Sequence, residues 1–173
     1  TKLVRAPRDT IIEEGTLVPI RGINHRIELT GKLRGLAVTD QIDGENVLRV
    51  SGAPESTGRR VADFLKREAR TDLERLVAGH AAELGKTVRG ISYKDTRSRW
   101  GSCSSDGKLA FSWRIAMAPP MVIDYLAAHE VAHLKEMNHS SAFWAVCHEL
   151  CPHTDEAKRW LKQHGNRLQA LQF

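Results

Sequence analysis

Two histidines four residues apart, His129 and His133 in the stretch HEVAHLKEMNH, constrain this chain more than any other feature. An α-helix carries 3.6 residues per turn, so imidazoles at i and i+4 leave the same face and can grip one ion. If the pair works together, the stretch is helical and its face stays open. Glu130 lies about 100° round that helix from His129. There it flanks an ion instead of ligating it, and its carboxylate can reach a metal-bound water. Zinc with two or three histidines and an open position lowers the pKa of such a water to about 7. A glutamate that takes the proton can return it to a leaving group. A third ligand is needed. Continued helix would turn His139 away from His133 and set it about 9 Å further along. Asn138 offers an escape, because asparagine tolerates the left-handed conformation that ends helices, and a turn there folds His139 back. Glu149, on the following helix, is the rival third ligand.

Chance alone produces HExxH in roughly one chain in forty of this composition, so the surroundings have to add weight. They do. Val122, Leu126, Val131 and Leu134 give the helix apolar positions for packing. A second His-Glu pair, His148-Glu149, meets Pro152 where a second histidine would be needed, and completes no motif. Cys147, Cys151 and His153 suggest another metal site, but on a helix with Phe143 and Val146 the cysteines read as small hydrophobes.

The rest of the chain surrounds that helix with a mixed set of elements. Residues 11–50 are rich in β-branched residues broken by glycines and read as a small antiparallel sheet of short strands. Residues 54–84 carry apolar side chains at helical spacing, from Val61 to Leu84, and Gly85 is a fitting stop. TVRGISY is a strand, KDTRSRWGSCSSDG a polar loop, and KLAFSWRIAMA a second strand. Pro119-Pro120 opens the motif helix, about 120–137, since proline suits a first turn. Ser140 or Ser141 caps a helix ending at Cys151-Pro152, and a last helix runs from about Thr154 to Leu168. The fold class is therefore α+β. An N-terminal β-rich segment spans 1–52 and a metal-dependent hydrolase domain spans 53–173.

The chain has 173 residues and a formal net charge of +5. Residues 86–114 hold seven Lys or Arg against Asp95 and Asp106, an excess equal to that of the whole chain. This is either a solvated surface or a basic rim that attracts something anionic. No uncharged apolar run approaches the ~20 residues needed to span a membrane, so no membrane partner is expected. No charged-then-apolar leader stands at the start of this sequence, and three cysteines are too few and too oddly counted for a disulfide framework. A cytoplasmic setting is the expectation.

From Ser98 to Trp144, SRWGSCSSDGKLAFSWRIAMAPPMVIDYLAAHEVAHLKEMNHSSAFW resembles the YgjP-like metallopeptidase domain family, related to the Wss and SprT-like zinc proteases within the zincin group. Members share an R-W-G-S-C loop, an N-W-R-L-like strand, H-E-L-A-H-L and N-H-S-x-x-F-W. The resemblance implies a zincin-like domain with zinc on His129, His133 and His139, and Glu130 catalytic. It also implies a peptide substrate, which would pair as an added strand with the sheet edge before the motif helix. Arg99, Trp100, Ser112 and Arg114 are then candidate substrate residues. Two departures stand out. Val131 replaces a leucine, and Ser112 stands where the family more often has asparagine. The donor that stabilises an oxyanion is open among Arg99, Arg114, Tyr125 and His153. Some members are assigned nucleotide pyrophosphatase activity toward UTP, which the basic stretch would suit, although no GxxxxGK[ST] loop is present. The SprT-like relatives act on DNA–protein crosslinks, and the same stretch could track a nucleic-acid backbone.

Overall fold

The computed structural model describes residues 10–173. The strands are β1 (Thr10–Ile11), β2 (Leu17–Ile20), β3 (Ile23–Leu29), β4 (Val38–Ile42), β5 (Glu45–Val50), β6 (Gly90–Lys94), β7 (Gly101–Cys103), β8 (Lys108–Ser112) and β9 (Leu171–Gln172). The helices are α1 (Thr57–Leu84), α2 (Pro120–Ala132), α3 (Ser141–Leu150) and α4 (Thr154–Gln169). The α+β class expected from the sequence is observed. No helix among the described residues is long and apolar enough to cross a membrane.

The first sheet has the order β2-β3-β5-β4. It is mixed, where an antiparallel sheet was expected: β3 and β5 run parallel, with Ile27 opposite Leu48. The sequence shows strand positions but not which strands become neighbours. Here β4 pairs with β5 as a hairpin across the Asp43-Gly44 turn, leaving β3 to lie along the other side of β5. Asp43 has φ 51°, a conformation that aspartate adopts more readily than bulkier residues.

Helix α1 follows a 3-10 turn at Pro54–Ser56 and ends at Gly85, whose φ of 68° is left-handed, as the sequence predicts for a helix stop. Its buried face (Val61, Phe64, Leu65, Leu73, Val77) shares one apolar core with Val18, Ile20 and Ile27 of the first sheet and with Ile115, Leu126 and Val131. Arg21 ties β2 to α1 through Asp72 (2.9 Å) and Glu68 (2.7 Å).

The second sheet has the order β6-β8-β7, with β6 parallel and β7 antiparallel to the central β8. The predicted strand over 108–118 is shorter than its pattern implied. It stops at Ser112, and Trp113–Met117 form a 3-10 turn that is buried throughout. A continuous apolar run does not distinguish a buried strand from a buried turn. The Ser112 hydroxyl accepts from the Arg114 backbone N–H and caps this turn.

Helix α2 begins with Pro119 as N-cap and Pro120 as its first residue. Most of its length is buried, including Val122, Ile123, Tyr125, Leu126, Ala127, Ala128, Val131 and Ala132. A helix buried on nearly every side is a fixed platform for the side chains at its end. Ser140 caps α3 by accepting from the Phe143 N–H, and Gly58 on α1 sits against the backbone of Phe173. All three cysteines are free, with Cys147 and Cys151 buried in the core.

Candidate metal centre

The last turn of α2 presents His129, Glu130 and His133, and the chain leaves the helix at His133 itself. This is earlier than the sequence suggested. Backbone bonds from Leu134 to Val131 and from Lys135 to Ala132 tighten the exit into a 3-10 turn. Asn138 is not among the residues with positive φ, so the predicted left-handed asparagine is not what bends the chain. The early exit brings His139 back to its place beside the pair. His139 Nε2 lies 3.1 Å from His133 Nε2 and 3.2 Å from His129 Nε2.

Three imidazole nitrogens converge on one point. Two nitrogens bound tetrahedrally to zinc at about 2.0–2.1 Å would lie about 3.3 Å apart, so the observed spacings fit. The protons support the same reading. His133 Nδ1 lies 3.0 Å from the Glu136 carbonyl, which can only accept, so Nδ1 carries the proton. The Nε2 of neutral His133 then offers a lone pair to the centre. His129 Nδ1 lies 3.1 Å from the Tyr125 hydroxyl, one helical turn back on α2. When His129 Nε2 is a ligand, Nδ1–H donates to that hydroxyl and holds the ring. Facing lone pairs repel unless a cation lies between them, so the donor set fits a divalent metal.

The surroundings favour the neutral forms of His129 and His133. Burial pushes His129 down to about 3, with His133, His139 and Lys158 acting in the same direction. Burial also lowers His133, against the opposing bond to Glu136. Phe143, fully buried, stacks on His133 with ring centres 4.4 Å apart. Trp144 stacks on His139 at 5.9 Å and carries Lys158 over its ring at 3.7 Å. Glu149 is exposed and stands outside the cluster of possible ligands, which among the described residues is His129, His133 and His139.

Glu130 is only 3% exposed. Burial pushes its carboxyl up to about 8, and Arg99 opposes that shift. Its side chain lies against Gly101 of β7. A Cβ built on Gly101 would stand 2.7 Å from Glu130 Oε2 and 3.0 Å from Glu130 Cγ. Only glycine leaves room there for the carboxylate.

The remaining sequence candidates divide. Arg99 and Trp100 immediately precede Gly101 and line a cavity with it and Ser112. Trp100 packs on Gly165 of α4, where a Cβ would meet the indole at 3.4 Å. Arg114 goes elsewhere. It is 3% exposed and donates to Asp95 (2.7 Å) and to the carbonyls of Leu168 (2.9 Å) and Leu171 (2.6 Å). Its guanidinium also lies 5.2 Å from the Trp113 ring centre and 5.0 Å from that of Phe173. That arrangement holds the end of the chain and leaves Arg114 no reach toward a substrate. Sequence reasoning named Tyr125 only as an oxyanion donor and missed its bond to His129. The i, i+4 spacing of Tyr125 and His129 was the available signal.

A family model described as YgjP-like, metallopeptidase domain, matches residues 2–164. Among solved structures, the metallopeptidase zymogen abylysin of Pyrococcus abyssi is similar at 21% identity and a TM-score of 0.48, over 53% of this chain and 93% of that one. The metallopeptidase zymogen jannalysin of Methanocaldococcus jannaschii is similar at 16% identity and a TM-score of 0.45, over 53% and 94%. None of the curated proteins compared with the chain matches it.

Proposed function

The chain belongs to the YgjP-like metallopeptidase family, and from that premise we propose that it hydrolyses peptide bonds with a zinc ion on His129, His133 and His139 and with Glu130 as the general base. The observation that carries this reading is the convergence of three imidazole nitrogens within 3.1–3.2 Å contacts beside a buried carboxylate. Zinc, once bound, supplies a Lewis acid that polarises a carbonyl and acidifies water.

The chain's own residues do the rest. Tyr125 and Glu136 fix the rings of His129 and His133, so that their lone pairs are aimed before anything binds. The Glu130 carboxylate, in its low-dielectric setting, takes a proton from water and delivers it to the departing amine. Burial makes it a stronger base than a solvated glutamate, and the Arg99 charge keeps the ionised form accessible. Strand β7 is an edge of its sheet and runs beside α2, so an extended peptide can add to it with its scissile bond near Glu130. The free cysteines are in keeping with a reducing compartment such as the cytoplasm.

The rival substrate is a nucleotide such as UTP, favoured by the Arg99 charge near Glu130 and by Lys94 in the same cavity wall as Arg99. Nucleic-acid association is a third reading and rests on charge alone. One experiment separates them: metal analysis of the purified protein, then assays on casein and on UTP side by side, with Glu130→Gln as the control. The variant should keep its metal and lose at least ~10²-fold of peptide hydrolysis. Undiminished turnover in Glu130→Gln would refute the assignment of the base, and turnover of UTP without any of casein would refute the substrate.

A further inference from the structure

A cavity of about 350 Å³ opens between the C-terminal end of β6 and the start of β7. Its wall carries Lys94 and Arg99, with hydroxyls from Ser98 and Ser102, and it ends at Gly101. We infer that this cavity is a subsite for an acidic side chain of a peptide substrate, with Lys94 and Arg99 as the residues that select it. The inference rests on the peptidase reading and names the class of peptide.

Three observations support it. First, the charge is one-sided. The lining contains two cations and no carboxylate. Neither Lys94 nor Arg99 has an ion-pair partner among the described residues, although Arg21, Arg26 and Arg114 all have one. Asp95, next in sequence to Lys94, already serves Arg114 at 2.7 Å. An unpaired pair of cations in a concave wall attracts an anion and rejects a cation.

Second, the position is right. Gly101 belongs to the cavity wall on one side and meets the Glu130 carboxylate on the other. Successive residues of an extended chain advance about 3.3 Å, with side chains alternating in direction. A peptide lying along β7 therefore drops a side chain into this cavity within a residue or two of the bond that Glu130 serves. Third, the size is sufficient. Ligand cavities run from about 300 to 1,000 Å³, and this one, at the small end, admits a carboxylate side chain. The Ser98 and Ser102 hydroxyls, which have no side-chain hydrogen bond among the described residues, are free to donate to a carboxylate.

The test uses the full chain carrying Glu130→Gln and loaded with zinc, so that binding is read without cleavage. Two fluorescent hexapeptides that differ only in a central Glu or Gln are titrated by anisotropy. The glutamate peptide should bind roughly tenfold tighter, the yield of two surface charge pairs. Arg99→Glu should abolish or invert the preference, as should Lys94→Glu, while Lys32→Gln, outside the cavity, should leave it intact. Thermal melts of the variants should match the parent, since both side chains are exposed. Equal affinity for the two peptides, or no binding of either, overturns the inference. So does a preference that survives Arg99→Glu. UTP that displaces the glutamate peptide and binds more tightly than it also overturns the inference, by making the cavity a phosphate site. A binding preference in Glu130→Gln without cleavage of the same peptide by the native sequence would retain the subsite and remove the peptidase reading, so the two failures are distinguishable.

Discussion

Gly101→Ala is the smallest change that should disable this site while leaving its metal in place. Gly101 is not among the glycines with positive φ, so alanine fits its backbone without strain. The only obstacle is space. The added methyl would stand 2.7 Å from Glu130 Oε2, 3.0 Å from Glu130 Cγ and 3.2 Å from the Ala110 carbonyl oxygen. Ordinary contact begins at 3.4 Å, so Oε2 must retreat by about 0.7 Å. A displacement near 1 Å at a reacting group costs about 10²-fold in rate. Peptide hydrolysis by Gly101→Ala should fall by that order while bound zinc stays at the parent level, because no histidine is touched. Stability gives a second reading that needs no substrate. Forcing a methyl into a packed site costs about 1–3 kcal/mol. In a Glu130→Ala background the obstructing side chain is gone. There only the Ala110 carbonyl at 3.2 Å still crowds the methyl, so the cost of alanine should fall to within about 1 kcal/mol of neutral. Melting temperatures of the four proteins in this cycle measure the difference, at about 2–4 °C per kcal/mol for a chain of this size. Equal shifts in the two backgrounds would refute the steric argument, and so would unchanged hydrolysis by the single variant.

Tyr125→Phe removes the group that holds His129 Nδ1, and should weaken zinc binding by about 10–100-fold in a chelator competition with the fold intact. Arg114→Met leaves the Leu168 and Leu171 carbonyls without their donor, with Asp95 returned to water, and should destabilise by about 1–3 kcal/mol in denaturant melts. Arg99→Ala, at an exposed position, should shift the same melts by less than about 1 kcal/mol. Cys103 should be slow to alkylate. Burial pushes its thiol up to about 11, with Glu130 and Asp106 acting in the same direction, so the thiolate is about 10²-fold scarcer at pH 8 than at an ordinary value of 9. The raised value stabilises the fold below pH 9, and that contribution is lost as pH rises from 9 through 11. A labelling rate that follows an ordinary thiol, with its midpoint near 9, would refute this.

What the sequence made legible was whatever depends on neighbours along the chain. Helical spacing located α1, α3 and α4 to within a few residues, and Gly85 and Ser140 mark their helix boundaries as their residue types predict. The HExxH spacing gave two of the three clustered imidazoles and the buried carboxylate beside them for the same reason. What depends on neighbours in space was not legible. The parallel pairing of β3 with β5 has no local signal. Arg114 carries the same charge as Arg99 in the same basic stretch, and nothing in the sequence shows that it turns inward to bind the chain's own end. The fold reserves one arginine for structure and leaves the other facing the cavity.

The third histidine lies between these two cases. Its presence near the motif was plain, but the device that bends the chain toward it was misread. Asparagine at 138 suggested a left-handed stop, yet the helix ends five residues earlier by tightening at His133. That earlier exit does two things at once. It shortens the path to His139, and it turns the Glu136 carbonyl toward His133 Nδ1 at 3.0 Å. In a continuous helix that carbonyl would accept from a backbone N–H four residues on and would be unavailable to an imidazole. The loss of helix at residue 133 is therefore part of how the His133 ring is oriented as well as how His139 is reached. A chain that kept α2 helical through Asn138 would lose both, even with all three histidines unchanged.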